Sequence, residues 1–384
     1  MKGAVKSLKW QIQERIRWRM ALFHLFRYLA VPFLIILPKS WILSRLRSFM
    51  SSRIYVAQAD DIMLYKSGRA AICALMTSLK QQDRQIVFVP DYICNVVPKA
   101  CEDAGFVVKE YPTDEFFVPM WDQLDQQLYE DEKTVLLICS LMGTSPVLAS
   151  QLQQIEQSHP DLFVIADECQ NLVENSPVTS KPNRAIVFSF NDKTCPGIMG
   201  GGVVCPPESS LSLEYHKMSF RRAVKCFIFF TGSMAKRIIR DVRHIVKLAL
   251  RRQLSYTVSL GYEYSMCQSA HYDTQPESIN RISAAYAWLN LKGFRQYAQV
   301  RQENCRVLSL AAGSDLPTLQ EGFSFLTAPA FVPLSKECDV SKKYPVPVKA
   351  PYAKHNNSNV CQRKQYSLKV NIPYVAYASG KRCQ

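Results

Sequence analysis

From residue 68 to residue 205 short apolar runs alternate with amphipathic stretches, and this alternation constrains the fold more than any other feature of the chain. Residues 68–80, 96–104, 122–129 and 147–157 carry apolar side chains at helical spacing, whereas 85–89, 107–111, 134–141, 162–166, 185–190 and 202–205 are short runs rich in Val, Ile, Leu and Phe. Short runs that are apolar throughout suit strands buried on both faces, and strand–helix–strand spacing at this length calls for a parallel sheet covered by helices on both sides. The expected class is α/β. At 384 residues the chain has room for one large domain and a smaller one. The expected division is a basic apolar segment over 1–54, a large domain over 55–265 with a basic insertion at 219–252, and a small domain over 266–384. Neither an internal repeat nor a low-complexity linker interrupts it.

The net charge of +15 suggests a nucleic-acid surface until it is apportioned along the chain. Residues 1–53 hold eleven Lys/Arg and one acid, 219–252 hold ten and one, and 340–384 hold nine and none, so these segments carry +28 and the remainder −13. The body of the protein is therefore acidic, and nucleic acid is not an expected partner. The 13 cysteines form no CxxC pair and show no metal-ligand spacing. Cys139 and Cys205 fall inside apolar strands, where cysteine acts as a small hydrophobe, and a reducing compartment, the cytoplasm, is expected.

Two segments stand apart. The stretch 18–43 is rich in Leu, Phe and Ile, but His24, Arg27, Pro32 and Pro38 interrupt it and leave 28–37 as its longest uncharged run, short for a bilayer span. No small-residue cleavage site follows, so an export signal is not expected. Binding at a membrane interface, packing within or between copies of the protein, and spanning all remain open for it. In 219–252, Ile238, Val242, Ile245, Val246 and Ala249 recur at helical spacing opposite Arg237, Arg240, Lys247 and Arg251. Such a basic amphipathic helix fits either an anionic membrane surface, such as the inner face of the membrane, or its own domain with a solvated rim.

The residues that carry chemistry lie at the ends of the predicted strands. Asp167 closes one strand in Ala166-Asp167-Glu168-Cys169-Gln170, and Lys193 follows another, Phe188-Ser189-Phe190-Asn191-Asp192, ahead of Gly200-Gly201-Gly202. An acid that keeps a pyridine nitrogen protonated, followed by an amine that holds an aldehyde covalently, reads as a pyridoxal-phosphate pocket. The candidate catalytic residues are Lys193 and Asp167. Ser67-Gly68-Arg69-Ala70 opens a helix, where free N–H groups and the helix dipole favour a phosphate. Taken alone, that stretch reads first as an ordinary serine cap. Gln170 is placed to bond or cover the cofactor ring, and Ser189 to bond its phosphate. Gly197, Gly200, Gly201 and Gly202 allow close backbone approach.

With these residues in view, the chain over about 60–310 resembles the DegT-type sugar aminotransferases, a branch of the fold-type-I pyridoxal-phosphate enzymes. Ser67-Gly68-Arg69-Ala70-Ala71 resembles the family's phosphate-binding helix start, and Val89-Pro90-Asp91-Tyr92-Ile93-Cys94 its segment beside the ring. Leu141-Met142-Gly143 stands where members have a Leu-Tyr-Gly turn. Asp167 and Gln170 match its Asp-x-x-Gln, Ser189-Phe190 its Ser-Phe, and Arg281-Ile282-Ser283 its Arg-Met-Ser near a subunit interface. The chain departs from the pattern in four places. Lys193 comes one residue sooner after Ser189, Ser140 replaces a frequent His, Asn280 directly adjoins Arg281, and the insertion at 219–252, found in only some members, suggests a substrate or partner at the membrane.

The resemblance implies a mostly parallel, seven-stranded-type sheet sandwiched by helices, with a smaller α+β C-terminal domain. It implies a homodimer that moves an amino group, usually from glutamate, to a keto sugar carried on a nucleotide for surface polysaccharide, including lipopolysaccharide. Cys94 would then border the cofactor, and Tyr92 and Arg281 would be substrate contacts. The acid-free stretch 340–384 shows no sustained periodicity, which suggests an altered end to the small domain. Two other readings stay open: a pyridoxal-phosphate enzyme for a different amine or ketone, and a membrane-associated member that binds without turnover.

Overall fold

The computed structural model describes residues 36–55, 57–94, 96–114, 118–128, 133–140, 149–169, 181–190, 200–206, 208–209, 211–213, 215–218 and 274–292. It also describes 26, 29–31, 33–34, 221, 224, 228 and 239, and the backbone of three short strands beyond residue 327. Seven strands form one sheet: β1 (Ile62–Tyr65), β2 (Ile86–Pro90), β3 (Val107–Tyr111), β4 (Val135–Cys139), β5 (Phe163–Glu168), β6 (Arg184–Ser189) and β7 (Gly201–Val204). Their order is β1-β7-β6-β5-β4-β2-β3. Strands β2 to β6 run parallel, and β7 runs antiparallel to both β6 and β1.

Strand periodicity divides the core into two faces. Val87, Val89, Val135, Leu137, Phe163, Ile165, Ala185 and Val187 point to one side, where α2 (Gly68–Lys80) and α3 (Val96–Asp103) cover them. The intervening Phe88, Leu136, Ile138 and Val164 point to the other, under α4 (Trp121–Leu128) and α5 (Ala149–Ser158). Farther along that second face Ala166, Ile186 and Phe188 meet α1 (Lys39–Arg53) and α6 (Arg281–Leu291). The doubly covered α/β sheet expected from the sequence is the fold observed, and strand β3 and helix α2 begin and end where the sequence places them.

Strand β1 escaped the sequence reading. Four apolar residues fit the end of a helix as well as a strand, and only pairing with β7, Ile62 opposite Val204 to Tyr65 opposite Gly201, decides between them. Toward the C-terminus the backbone forms a small antiparallel sheet in the order β8-β10-β9, with β8 (Ala328–Val332) ahead of the acid-free stretch and β9 (Val348–Lys349) and β10 (Tyr366–Leu368) inside it, where periodicity gives no signal. Strands this short are set by their partners rather than by their own sequence.

The end of the apolar stretch 18–43 lies in α1, which packs inside the protein. Ile42, Leu46 and Met50, four residues apart, are buried against α6, and Trp41 meets Trp288 edge-on at 5.6 Å. Among the described residues no helix is long and apolar enough to cross a membrane. Residues Ile238, Val242, Ile245, Val246 and Ala249 of the second basic stretch lie outside the described residues. Because Leu46 is fully enclosed, Leu46→Ala should destabilise the protein by about 2–5 kcal/mol, read from the urea midpoint, while Phe33→Ala on the exposed side of the preceding helical residues should leave it within about 0.5 kcal/mol.

Candidate active site

The strand order fixes where a ligand can sit. From β2 the chain crosses to β3 on one side, and later strands build outward on the other from β4, so the crossovers part between β2 and β4. The crevice beyond the carboxyl ends of such strands is the usual ligand site of an open α/β sheet. Cys94 follows β2, Cys139 closes β4, and Asp167 lies beside Cys139 in the parallel register of β4 and β5. Cys139, Asp167 and Ser189 share the parity of Leu137, Ile165 and Val187, so all three face the α2 side.

Helix α2 points its N-terminus at this edge. Ser67, in extended conformation, caps it by accepting the Ala70 N–H on Oγ at 3.2 Å, and its carbonyl accepts the Ala71 N–H at 3.1 Å. The serine cap read from sequence is thus present, and it leaves the first-turn N–H groups of Gly68 and Arg69 without a carbonyl one turn back. One guanidinium nitrogen of Arg69, Nη1, is buried with no hydrogen-bond partner among the described residues. Helix dipole, first-turn amides and the unmatched Nη1 of Arg69 together are suited to an anion.

Glycine lets the helix come this close. A Cβ on Gly68 would lie 2.6 Å from Cys169 Sγ and 3.3 Å from Ser189 Cβ, and one on Gly201 would lie 2.6 Å from the Gly68 nitrogen and 2.5 Å from the Phe188 carbonyl. At Gly201 the added atom would meet backbone, so any other residue there would push α2 off the strand ends, whereas at Gly68 it would meet the Cys169 side chain first. Gly200, at φ 138°, has its carbonyl bonded by the Phe190 N–H at 2.8 Å and by Ser189 Oγ at 3.3 Å. The Ser189 hydroxyl, expected at a phosphate, therefore donates to a backbone carbonyl here. Lys193 lies outside the described residues, as do Gln170, Gly197 and Leu141-Met142-Gly143. The chain on either side of residues 191–199, at Phe190 and Gly200, is pinned together at this end of the sheet.

Asp167 is 2% exposed, and burial raises its carboxyl above the ordinary aspartate value. The contacts that oppose this shift are hydrogen-bond donors: the Cys169 N–H at 3.0 Å and the Cys169 and Cys139 thiols, with no cation among the described residues. Ser140 N–H donates to the Asp167 carbonyl at 3.0 Å and fixes the backbone there. Cys139 is itself pushed well up by burial and then by the neighbouring Asp167 and Cys94. Cys94, Cys139, Cys169 and Asp167 thus gather at one place. The sequence reading took Cys139 for packing alone and passed over Cys169, although its position two residues after Asp167 on a strand end was the available signal.

The remaining candidates lie farther out. The ring of Tyr92 is 5% exposed and packs into the core on the α2 side. Arg281 is exposed in the first turn of α6, close enough to Lys39 to help burial lower that lysine's pKa. Asn280 caps α6 by accepting the Ser283 N–H at 2.8 Å. The segment before it borders the site. Lys66 N–H donates to the Glu277 carbonyl at 2.9 Å, their side chains form an ion pair at 3.5 Å with under a tenth of either exposed, and Ile279 lies beside Gly200. This buried pair adjoins the Ser67 cap, and the sequence offered no sign of it.

No family model matches the chain, and no curated protein matches its sequence. By structure it is similar to PseC of Helicobacter pylori, an aminotransferase involved in the biosynthesis of pseudoaminic acid, with 13% identity, 89% of this chain and 90% of that one covered, and a TM-score of 0.58. It is also similar to the sugar aminotransferase CalS13 of Micromonospora echinospora (13% identity, 90% and 91% covered, TM-score 0.56). A third likeness is to a DegT DnrJ EryC1 StrS aminotransferase of Brucella abortus (14% identity, 95% and 92% covered, TM-score 0.54). At these identities the likeness shows the fold, and it is the fold that the resemblance of the sequence implied.

Two outcomes test this geometry. Gly68→Ala should destabilise the protein by about 1–3 kcal/mol, and adding Cys169→Ala should recover at least about 0.5 kcal/mol, because the added methyl meets that sulfur first. For Asp167 the folded pKa is raised, so its neutral form is favoured below the unfolded value near 3.8 and stability is lost as pH rises through the folded pKa. In cofactor-free protein Asp167→Asn should therefore unfold at a higher denaturant midpoint than the parent at pH 7, with the difference shrinking toward pH 4.

Proposed function

We propose that the protein is a pyridoxal-phosphate aminotransferase that moves an amino group from glutamate to a keto sugar carried on a nucleotide, for the synthesis of surface polysaccharide. The observation that carries this reading is Asp167, a carboxylate buried at the carboxyl end of the sheet whose described contacts include donors but no cation. A pyridinium N–H supplies what that carboxylate lacks, and the anion site at the start of α2 lies on the same face of the sheet. The residues present fit the cofactor at both of its charged ends.

Bound pyridoxal phosphate supplies an electron sink for the carbon bearing the amine. The chain supplies the rest. Asp167 keeps a proton on the ring nitrogen, and burial makes that charge pairing stronger than it would be in water. Ser67 and Ala70, joined in the helix cap, would frame the phosphate, the Gly68 and Arg69 N–H groups and the arginine would bind it, and Ser189 would close the opposite side by turning its hydroxyl from the Gly200 carbonyl. Cys94 and Gln170 flank the ring. Lys193 would hold the cofactor's aldehyde covalently, and its amine would be the base that moves a proton to and from the substrate carbon. Tyr92 and Arg281 are the proposed substrate contacts, Arg281 as an exposed cation suited to a nucleotide phosphate. A homodimer with sites between subunits accords with the place of α6 beside the site's border.

The decisive measurement is the absorbance of the purified protein with pyridoxal phosphate, then with glutamate added, beside Lys193→Ala. The parent should show a visible band of lysine-bound cofactor that glutamate converts to the amine form, and the variant should show neither. Folded parent protein without that band would overturn the assignment. Asp167→Asn should retain the band and lower the glutamate half-reaction by at least about 100-fold.

A further inference from the structure

Two separate segments of the chain expose apolar side chains, and both are strongly basic. Around residues 26–36, Val31 is 2% exposed and Leu34 and Leu37 pack on the core beneath α1 and α6. Phe26, Leu29, Phe33 and Ile36 face outward, 68%, 51%, 73% and 78% exposed. Their spacing of three, four and three residues places them on one side of a helix, where a soluble helix carries its polar residues. In the second segment Val224 and Ile228, helical and four residues apart, are exposed beside exposed Arg221, and Ile239 is exposed further on. Isolated exposed hydrophobes need no explanation, but a row of four on one helical face does.

Charge selects what covers them. The segment 1–53 carries a net +10 and 219–252 a net +9, in a protein whose remaining body, outside the basic 340–384, is acidic. Packing this face against the same face of a second copy would bring two such charges together. A neutral apolar partner would leave the cations without complement. An anionic bilayer offers both an apolar interior for the phenyl and aliphatic groups and negative headgroups for the cations around them. Trp41 is 37% exposed with the Arg45 guanidinium 5.2 Å over its ring, an amphipathic pairing suited to the headgroup level.

We propose that the exposed apolar row Phe26, Leu29, Phe33 and Ile36, in a segment of net positive charge, docks the protein onto an anionic lipid bilayer without crossing it. The contact does not depend on the proposed reaction.

The test is co-sedimentation of the full-length protein with vesicles of phosphatidylcholine, with and without about one-third phosphatidylglycerol. Binding should be at least about tenfold stronger on the anionic vesicles and should fall away in about 0.5 M salt, as screening shortens the reach of the cations. Phe33→Ser combined with Ile36→Ser should lower vesicle binding at least about tenfold while the unfolding midpoint and the absorbance with pyridoxal phosphate stay those of the parent. Equal binding to neutral and anionic vesicles, or binding to neither, would overturn the proposal. So would a double variant that binds vesicles as the parent does but sediments with fewer copies, since the row would then cover a second copy of the chain.

Discussion

The seating of one helix terminus on the strand ends governs the rest of the site. Helix α2 can bring its first-turn N–H groups to the carboxyl edge of β5 and β6 only because Gly68 and Gly201 meet backbone to backbone, with the Phe188 carbonyl and Cys169 sulfur occupying the space a side chain would need. Gly202, one residue on and on the opposite face of β7, instead makes room for the Met63 carbonyl and the Phe188 ring. A helix dipole loses its effect within about one turn. A displacement of α2 by the width of a methyl group would thus weaken the anion site and open the crevice over Asp167 to water.

That crevice holds a carboxylate at an energetic disadvantage. A buried acid with donors around it and no cation among its described contacts is costly in the empty protein, and such cost concentrates where a ligand removes it. Cys139 and Cys169 are suited to this place because thiols are small, apolar and only weak donors. They fill the space beside Asp167 with weak donors rather than with a cation.

The border of the site is tied to distant parts of the chain. Lys66, directly before the α2 cap, pairs with Glu277 in a buried contact, and Lys39 of α1 donates to Ser278 at 3.1 Å. Segment 277–279 runs along β1, with Ile279 N–H bonded to the Leu64 carbonyl, and leads into the Asn280 cap of α6. Helices α1 and α6 are therefore fixed to the same edge that presents the anion site. Removing either member of the Lys66–Glu277 pair would break a buried ion pair beside the cap.

The sequence by itself determined the layered α/β class, the span of α2, the serine cap at Ser67 and the placing of Asp167 and Ser189 at strand ends. These rest on periodicity, cap chemistry and chain order, which are local and survive without knowledge of partners. Strand β1 and the β8–β10 sheet were not legible because strands of two to five residues take their conformation from the strands they pair with. Only the tertiary structure brought Cys139 and Cys169 to Asp167, joined Lys66 to Glu277 across more than two hundred residues, and turned Phe26, Leu29, Phe33 and Ile36 outward while Val31 turned in. Such contacts depend on which faces meet after the chain has folded back, and an apolar residue carries no mark in sequence of whether its neighbour will be protein, ligand or solvent.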